Sequence, residues 1–180
     1  DQLAKIIHER KEISGEATGF YRTDIPEEIR DLWNLRKKGV GLLGNTKGRR
    51  KPIPFVEDTA VPPENLAAYI REFRDLLESF RLEYAMFGHV DVGCLHVRPA
   101  LDLKTIEDEE IVRKISDGVC RLVRKYGGVM WAEHGRGFRT EYTEEHFGSE
   151  LYQELRKIKQ VFDPFNQLNP GKIVTPLESE

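Results

Sequence analysis

The alternation of short apolar runs with two amphipathic helical segments is the feature that most constrains the fold of this chain. Apolar residues recur every three or four positions, the period of one helix face, across 62–80 and 108–126. Short runs typical of β-strands lie at 52–58, 82–87, 94–97 and 129–133. The order strand, helix, strand, strand, helix, strand predicts an α+β fold, a ferredoxin-like split βαβ antiparallel sheet with both helices on one face.

Helical extensions flank this core. A helix that begins after Thr23 is expected to end in the basic, glycine-rich stretch 36–51, and another helix is expected at 149–162. We therefore divide the chain into an N-terminal extension (1–51), a ferredoxin-like core (52–134) and a C-terminal helix with its tail (135–180), all within one domain.

Composition limits the classes of function. With 39% hydrophobic and 33% charged residues, the chain is typical of globular proteins, and no apolar run approaches the ~18 residues of a membrane span. The net charge of -3 argues against a nucleic-acid partner. Two cysteines, Cys94 and Cys120, are too few for a disulfide framework, which favours a cytoplasmic location.

Two histidines flank the hairpin predicted between the second and third strands. An antiparallel hairpin brings His89 and His96 onto facing strands, where both imidazoles could reach one ion. We expect the second and fourth strands to run in the same direction, which would bring Glu133 to the edge that carries His89. Two imidazoles and a carboxylate are a common set for a catalytic divalent metal such as zinc. Hydrogen-bonded structural histidines remain the alternative interpretation.

Four further residues are candidates for acid–base chemistry or anion binding. Histidine titrates near neutral pH and is the commonest general base, so His134 is the candidate base. Arg98 shares a strand face with His96 and suits bidentate binding of a carboxylate. Arg36 and Lys51 are further candidates for a carboxylate, although any one of these residues could simply be a solvated surface residue.

Three ordered motifs resemble the FAD-linked oxidase C-terminal domain of the vanillyl-alcohol oxidase type flavoenzymes. They are GHVDVGCLH at 88–96, EHGRG at 133–137 and FDPFNQLNPGK at 162–172. The members that this sequence resembles most are D-lactate dehydrogenases, glycolate oxidase flavin subunits and D-2-hydroxyglutarate dehydrogenases. The resemblance implies the substrate-binding domain of a flavoenzyme that oxidises a D-2-hydroxy acid to the 2-oxo acid.

The resemblance also implies a metal site and a base. In the D-2-hydroxyglutarate dehydrogenase group, the residues that match His89, His96 and Glu133 hold a divalent metal, which we expect to be zinc. The residue that matches His134 removes the proton of the substrate hydroxyl. A hydride then passes from the substrate to the flavin.

Substrate and cofactor contacts follow from the same resemblance. The arginine of the family's Trp-x-x-Arg helix matches Arg36, and a lysine fifteen positions later matches Lys51; both bind the substrate carboxylate. Arg98 stands where the family commonly has asparagine and implies a substrate with a second carboxylate or another anionic group. Asn169 and Lys172 match a terminal motif that returns toward the flavin, and a structural turn explains them equally well.

The resembled enzymes hold FAD mainly in a separate N-terminal domain. The glycines at 39–41 match a nucleotide-binding motif only weakly. We therefore expect three partners: an FAD-binding domain of a parent protein, a small anionic 2-hydroxy acid and an electron acceptor of unspecified identity. If the electron acceptor lies in a membrane, the protein would contact the membrane surface through it. A homodimer is left open, and we expect the isolated chain to be inactive.

Two rival functions use the same residues. The first is a stand-alone metal-dependent hydrolase or lyase with the same two histidines and glutamate. The second is a ferredoxin-like binding module in which the histidines are structural.

Overall fold

The computed structural model describes residues 5, 21–44, 47–135 and 139–177. The chain divides into two compact units, 1–45 and 46–180. The first unit contains helix α1 (Pro26–Gly44). In the second unit the order is β1 (Lys51–Pro52), β2 (Thr59–Ala60), α2 (Leu66–Ser79), β3 (Tyr84–His89), β4 (Cys94–Leu101), α3 (Ile106–Lys125), α4 (Thr143–Phe147) and α5 (Ser149–Phe162). None of the described helices has the length and apolar character needed to cross a membrane.

Helix α1 ends within the basic, glycine-rich stretch in which the sequence predicts its end. Pro26 opens the helix, and Glu27 and Glu28 in its first turn interact favourably with the helix dipole. The glycine-rich residues up to Gly44 continue the helix. A helical glycine costs only about 1 kcal/mol relative to alanine, which the surrounding turns tolerate.

The sheet has the strand order of the split βαβ arrangement. Strand β4 pairs antiparallel with β3 on one side and with β1 and β2 on the other. Beyond β2, Val129 forms an isolated bridge with Ala60. The predicted α+β class with an antiparallel sheet is confirmed.

The first and fourth predicted strands are not formed over most of their length, and the third, predicted at 94–97, extends to Leu101 as β4. Of the residues expected in the first strand at 52–58, those from 53 to 58 do not form a regular strand, although the N–H groups of Ile53 and Asp58 still donate to carbonyls of β4. Pro54 has no N–H to donate, and Asp58 has a φ of 72°. The fourth strand at 129–133 is reduced to the single bridge of Val129. After that bridge, the N–H of Ala132 donates to the carbonyl of Asp58 at 2.9 Å instead of continuing a ladder.

The expected direction of the fourth segment is also wrong. Strands β2 and β3 both run antiparallel to β4, so they are parallel to each other. The bridge between Ala60 and Val129 is antiparallel. The segment 129–133 therefore runs opposite to β3 and away from the hairpin. It passes His96 because Val129 and Cys94 both pair with Ala60.

One hydrophobic core joins the sheet to helices α2 and α3, whose apolar stripes match the predicted spacing. Helix α3 begins at a cap in which the Thr105 side chain accepts the N–H of Asp108, and it ends with Arg124 and Lys125, which suit the negative end of the dipole. Fully buried side chains from both helices and from β4 form the centre of this core, including Tyr69, Phe73, Leu77, Val97, Ile115, Val119 and Val123.

The turn between β3 and β4 requires glycine for two reasons. Gly93 has a φ of 68°, and a Cβ there would overlap the carbonyl oxygen of Val61. The carbonyl of Gly93 also accepts the N–H of Val61 at 3.2 Å. This close approach attaches the hairpin that carries His89 and His96 to the end of β2.

Substitution of Gly93 tests this attachment. Gly127 is a matched control because its φ of 66° is nearly the same and a Cβ there would meet nothing within 4 Å. We expect Gly127→Ala to lower the free energy of unfolding by about 1–2 kcal/mol, the cost of a left-handed alanine. Gly93→Ala should cost at least about 1–3 kcal/mol more, because Val61 must also move. Urea unfolding measures both, and equal losses would contradict the close approach.

Candidate functional site

The three predicted metal ligands meet at the carboxylate of Glu133. Its Oε1 lies 3.3 Å from Nε2 of His89 and 2.9 Å from Nε2 of His96. The rings of the two histidines are perpendicular, with centroids 5.6 Å apart. His96 is buried, whereas His89 and Glu133 are partly exposed. The arrangement gathers two imidazole nitrogens and a carboxylate oxygen, which are donor types that zinc prefers.

The β3–β4 hairpin positions the two histidines. His89 ends β3, and His96 lies within β4 opposite Phe87, whose ring centroid is 5.1 Å from that of His96. Cys94 precedes His96 on the same face of β4, with its Sγ 3.8 Å from Nε2 of His96. Burial, together with the charge of Glu133, raises the pKa of the Cys94 thiol to about 11, so this side chain is neutral near pH 7.

Asp58 holds the segment that carries Glu133. This residue is fully buried, and its carboxylate accepts the backbone N–H groups of Ala132, Glu133 and His134 at 3.0, 2.9 and 3.0 Å. Sequence reasoning missed Asp58. The available signal was the pair of carboxylates, Glu57 and Asp58, at the end of an apolar run.

His134 lies against the predicted ligands. Its ring stacks on His96, with centroids 5.2 Å apart and an angle of 18° between the planes. Its Nε2 is 3.9 Å from Oε1 of Glu133, and its Nδ1 is 3.7 Å from Oε1 of Glu57. The side chain of His134 is 52% exposed, which leaves it accessible to a small molecule, as a general base requires.

The second missed carboxylate, Glu57, binds the predicted substrate arginine. Arg98 donates through two nitrogens to the two carboxylate oxygens of Glu57, and its guanidinium carbon lies 5.5 Å from the centroid of the Phe87 ring. Arg139 donates to the backbone carbonyl of Glu57. Burial lowers the pKa of Arg139, and the charges of Asp58 and Glu57 oppose that shift. Two guanidinium groups thus lie beside two buried carboxylates.

The donor atoms of the described residues fit a divalent cation. Two overlapping sets each have their donor atoms within 4.8 Å of one another: Asp58, Cys94, His96 and Glu133, and Glu57, His96 and His134. His89 belongs to neither set and joins the cluster through Glu133. Nδ1 of His96, the ring nitrogen that does not contact Glu133, is buried without a hydrogen-bond partner among the described residues.

The other two predicted substrate residues are Lys51, in β1 of the second unit, and Arg36, in α1 of the first unit. Lys51 pairs with Leu101, five residues along β4 from His96, which corresponds to about 17 Å of strand. The structure therefore does not bring the backbone of Lys51 to the ligand cluster. Arg36 belongs to α1 in the first unit, where its guanidinium carbon is 5.4 Å from the ring centroid of Trp33. The roles of both residues stay predictions.

Asn169 and Lys172 line a cleft with a volume of about 500 Å³, within the range of ligand-binding pockets. The cleft includes Gly135, which directly follows His134, and side chains of α5 such as Ile158 and Phe162. Asn169 has a φ of 48°, and its carbonyl accepts the N–H of Lys172 at 3.1 Å. A turn and a cleft therefore coexist at this motif.

Comparison with known proteins identifies the family. The chain matches the family described as FAD linked oxidases, C-terminal domain, over residues 2–173. It is 58% identical over 166 residues to a D-2-hydroxyglutarate dehydrogenase of Pantoea ananatis, which covers 92% of this chain and 16% of that protein.

Two other relatives have the same name. Identity is 57% over 180 residues with the protein of Haemophilus influenzae (99% of this chain, 17% of the relative). With the protein of Escherichia coli, identity is 60% over 148 residues, which cover 82% of this chain and 14% of the relative. The chain thus spans less than a fifth of the length of these relatives. The resemblance drawn from the three motifs is confirmed, and the chain belongs to the FAD-linked oxidase C-terminal domain family.

Proposed function

We propose that this chain is the substrate- and metal-binding domain of an FAD-dependent dehydrogenase that oxidises a D-2-hydroxy acid to the 2-oxo acid. The observation that carries the proposal is the convergence of His89, His96 and Glu133, with His134 stacked on His96. Membership of an FAD-linked family supports the reaction type, and relatives named D-2-hydroxyglutarate dehydrogenase support the substrate class.

His89, His96 and Glu133 would hold the metal, with zinc favoured by the mixture of nitrogen and oxygen donors. When bound, the metal would act as a Lewis acid that lowers the pKa of the substrate hydroxyl. The two exposed members of the set, His89 and Glu133, leave one side open to a small hydroxy acid. His96 and Cys94, both buried, close the opposite side.

His134 would accept the hydroxyl proton. Its Nδ1 faces Glu57, whose charge would stabilise the imidazolium that forms, and its ring is held against His96. FAD, when bound by another domain of the parent protein, would accept the hydride from C2. Asn169 and Lys172 are the residues of this chain that we propose face the flavin, because their cleft begins beside His134.

Basic residues would bind the anionic end of the substrate. Arg98 lies in β4, the strand that carries His96, and contacts Glu57, but a guanidinium has five N–H donors and can bind a second carboxylate. We propose D-2-hydroxyglutarate, the dicarboxylate in the names of the relatives, as the first substrate to test. The proposal that Arg36 and Lys51 also bind the substrate carboxylate rests on the motif match alone.

Removal of ligands should remove the metal. In the full-length protein that contains this chain, His89→Ala and Glu133→Gln should each lower bound zinc to less than a fifth of the wild-type content, because a site with two protein ligands binds weakly. Elemental analysis of the purified variants measures this. His146→Gln, a histidine substitution beside Trp131 rather than in the cluster, is the control and should retain full metal content. Equal metal in all four proteins would contradict the site.

Loss of the base should slow turnover without loss of metal. His134→Gln is expected to reduce kcat about 10²–10⁴-fold, the usual contribution of a general base, while zinc content stays at the wild-type value. Steady-state kinetics with D-2-hydroxyglutarate and an artificial electron acceptor give the readout. A variant that retains at least a third of wild-type kcat would rule out this role. Metal-dependent hydrolysis without flavin would instead favour the hydrolase.

Arg98 should discriminate between one carboxylate and two. Arg98→Met is expected to raise KM for D-2-hydroxyglutarate about 10–100-fold, as for the loss of a charged hydrogen bond of about 1.5–3 kcal/mol. KM for D-lactate, which has a single carboxylate, should change much less. Loss of the contact between Arg98 and Glu57 would change KM for both substrates. The decisive quantity is therefore the ratio of the change in KM for D-2-hydroxyglutarate to the change in KM for D-lactate. An equal rise for both would show that Arg98 has no part in specificity.

A further inference from the structure

Asp58 lies at the centre of the site, outside the set of predicted ligands. It is fully buried and has a φ of 72°, a left-handed conformation that aspartate tolerates better than most residues. Its N–H donates to the carbonyl of Leu95 at 3.1 Å, which attaches its backbone to β4 directly beside His96. Asp58 is therefore fixed to the strand that carries the buried histidine.

The segment that carries Glu133 and His134 depends on Asp58 for its hydrogen bonds. After the bridge of Val129, Ala132 donates its N–H to both the carbonyl and the Oδ2 of Asp58. Glu133 donates to Oδ1 and His134 donates to Oδ2. One side chain thus takes the place of the ladder that a fourth strand would have provided.

This irregular backbone has a direct consequence for the site. In an extended strand, consecutive side chains point to opposite faces of the sheet. Here Glu133 and His134 are consecutive, yet both contact His96, one at 2.9 Å from its Nε2 and the other by ring stacking. The two side chains share one site only because the backbone leaves the strand conformation at this point.

The carboxylate of Asp58 is better suited to this role than to metal binding. One of its oxygens lies within 4.8 Å of a carboxylate oxygen of Glu133 and of a ring nitrogen of His96. However, Oδ2 accepts two N–H groups, and Oδ1 accepts one and lies 4.0 Å from the thiol of Cys94. Three N–H groups aimed at one buried carboxylate satisfy its charge without a cation.

We propose that Asp58 is a positioning residue, whose carboxylate holds the backbone of 132–134 so that the side chains of Glu133 and His134 face His96 together. This inference rests on the proposed function, in which Glu133 binds the metal and His134 accepts the proton. It assigns to Asp58 no contact with substrate, metal or flavin.

Asp58→Asn in the full-length protein tests the proposal. Asparagine has the same size and tolerates a positive φ, but the NH2 that replaces one carboxylate oxygen cannot accept an N–H, so at least one of the three backbone donors loses its side-chain acceptor. We expect zinc affinity to fall at least tenfold in titrations of the metal-free protein and kcat to fall at least tenfold. Hydrogen exchange at the amides of 132–134 should become at least tenfold faster.

Asp108→Asn is the matched control. Asp108 is also a buried aspartate that accepts a backbone N–H, from Asp102 at 2.8 Å, and it contacts Arg50 at 2.9 Å. Thermal unfolding should show a loss of stability for both variants, whereas zinc affinity should fall only for Asp58→Asn. A purely structural role for Asp58 would lower the melting temperature and leave zinc affinity within twofold of wild type, which would overturn the proposal.

The design separates this inference from the proposed function. If the wild-type protein binds no zinc, the proposed metal site fails, and Asp58 is then judged by hydrogen exchange alone. Faster exchange confined to 132–134 would still support the positioning role. Exchange at the wild-type rate in Asp58→Asn would overturn it.

Discussion

An interruption in the strand beside β4 is the feature on which the site depends. Had residues 53–58 continued the ladder between β1 and β2, the carboxylates of Glu57 and Asp58 would have pointed to opposite faces of the sheet. Instead, Pro54 and the left-handed backbone of Asp58 interrupt the regular pairing with β4, while the N–H of Asp58 still donates to the carbonyl of Leu95. Both carboxylates then lie within reach of the segment 132–134 and of His96. A local loss of regular structure thus creates a concentration of polar groups beside a regular hairpin.

Two adjacent buried carboxylates would destabilise the fold if their charges were not balanced. Isolated burial of one ionised carboxylate costs several kcal/mol even after relaxation. Here the balance comes from different sources, since Asp58 receives backbone N–H groups and Glu57 receives the guanidinium of Arg98. Arg139 adds a positive charge near both, at the expense of a pKa lowered by its own burial. The contacts that stabilise the interruption are therefore the contacts that shape the site.

Local patterns predicted the regular parts of the fold and the core of the site. Helix α5 matches its predicted bounds, since a period of 3.6 depends only on neighbouring residues. His89 and His96 meet because a hairpin is local and its register follows from a short turn. The fourth strand failed for the opposite reason. Its residues have strand-like composition, but their N–H groups bond to Asp58, more than seventy positions earlier in the chain. No local pattern states which groups these carboxylates bind, although two adjacent carboxylates at the end of an apolar run mark the position of Glu57 and Asp58.

The proximity of Glu133 and His134 in sequence has a chemical consequence beyond packing. Under the proposed function, one residue binds the metal that acidifies the hydroxyl and the next accepts its proton. Because a single anchor, Asp58, holds both backbones, a shift of the segment would displace ligand and base together. Effective catalysis needs reacting groups held close to their productive geometry, and separate supports would allow them to drift apart. The hairpin provides the fixed histidine against which both are aligned, so that ligand and base keep a constant relation to each other and to His96.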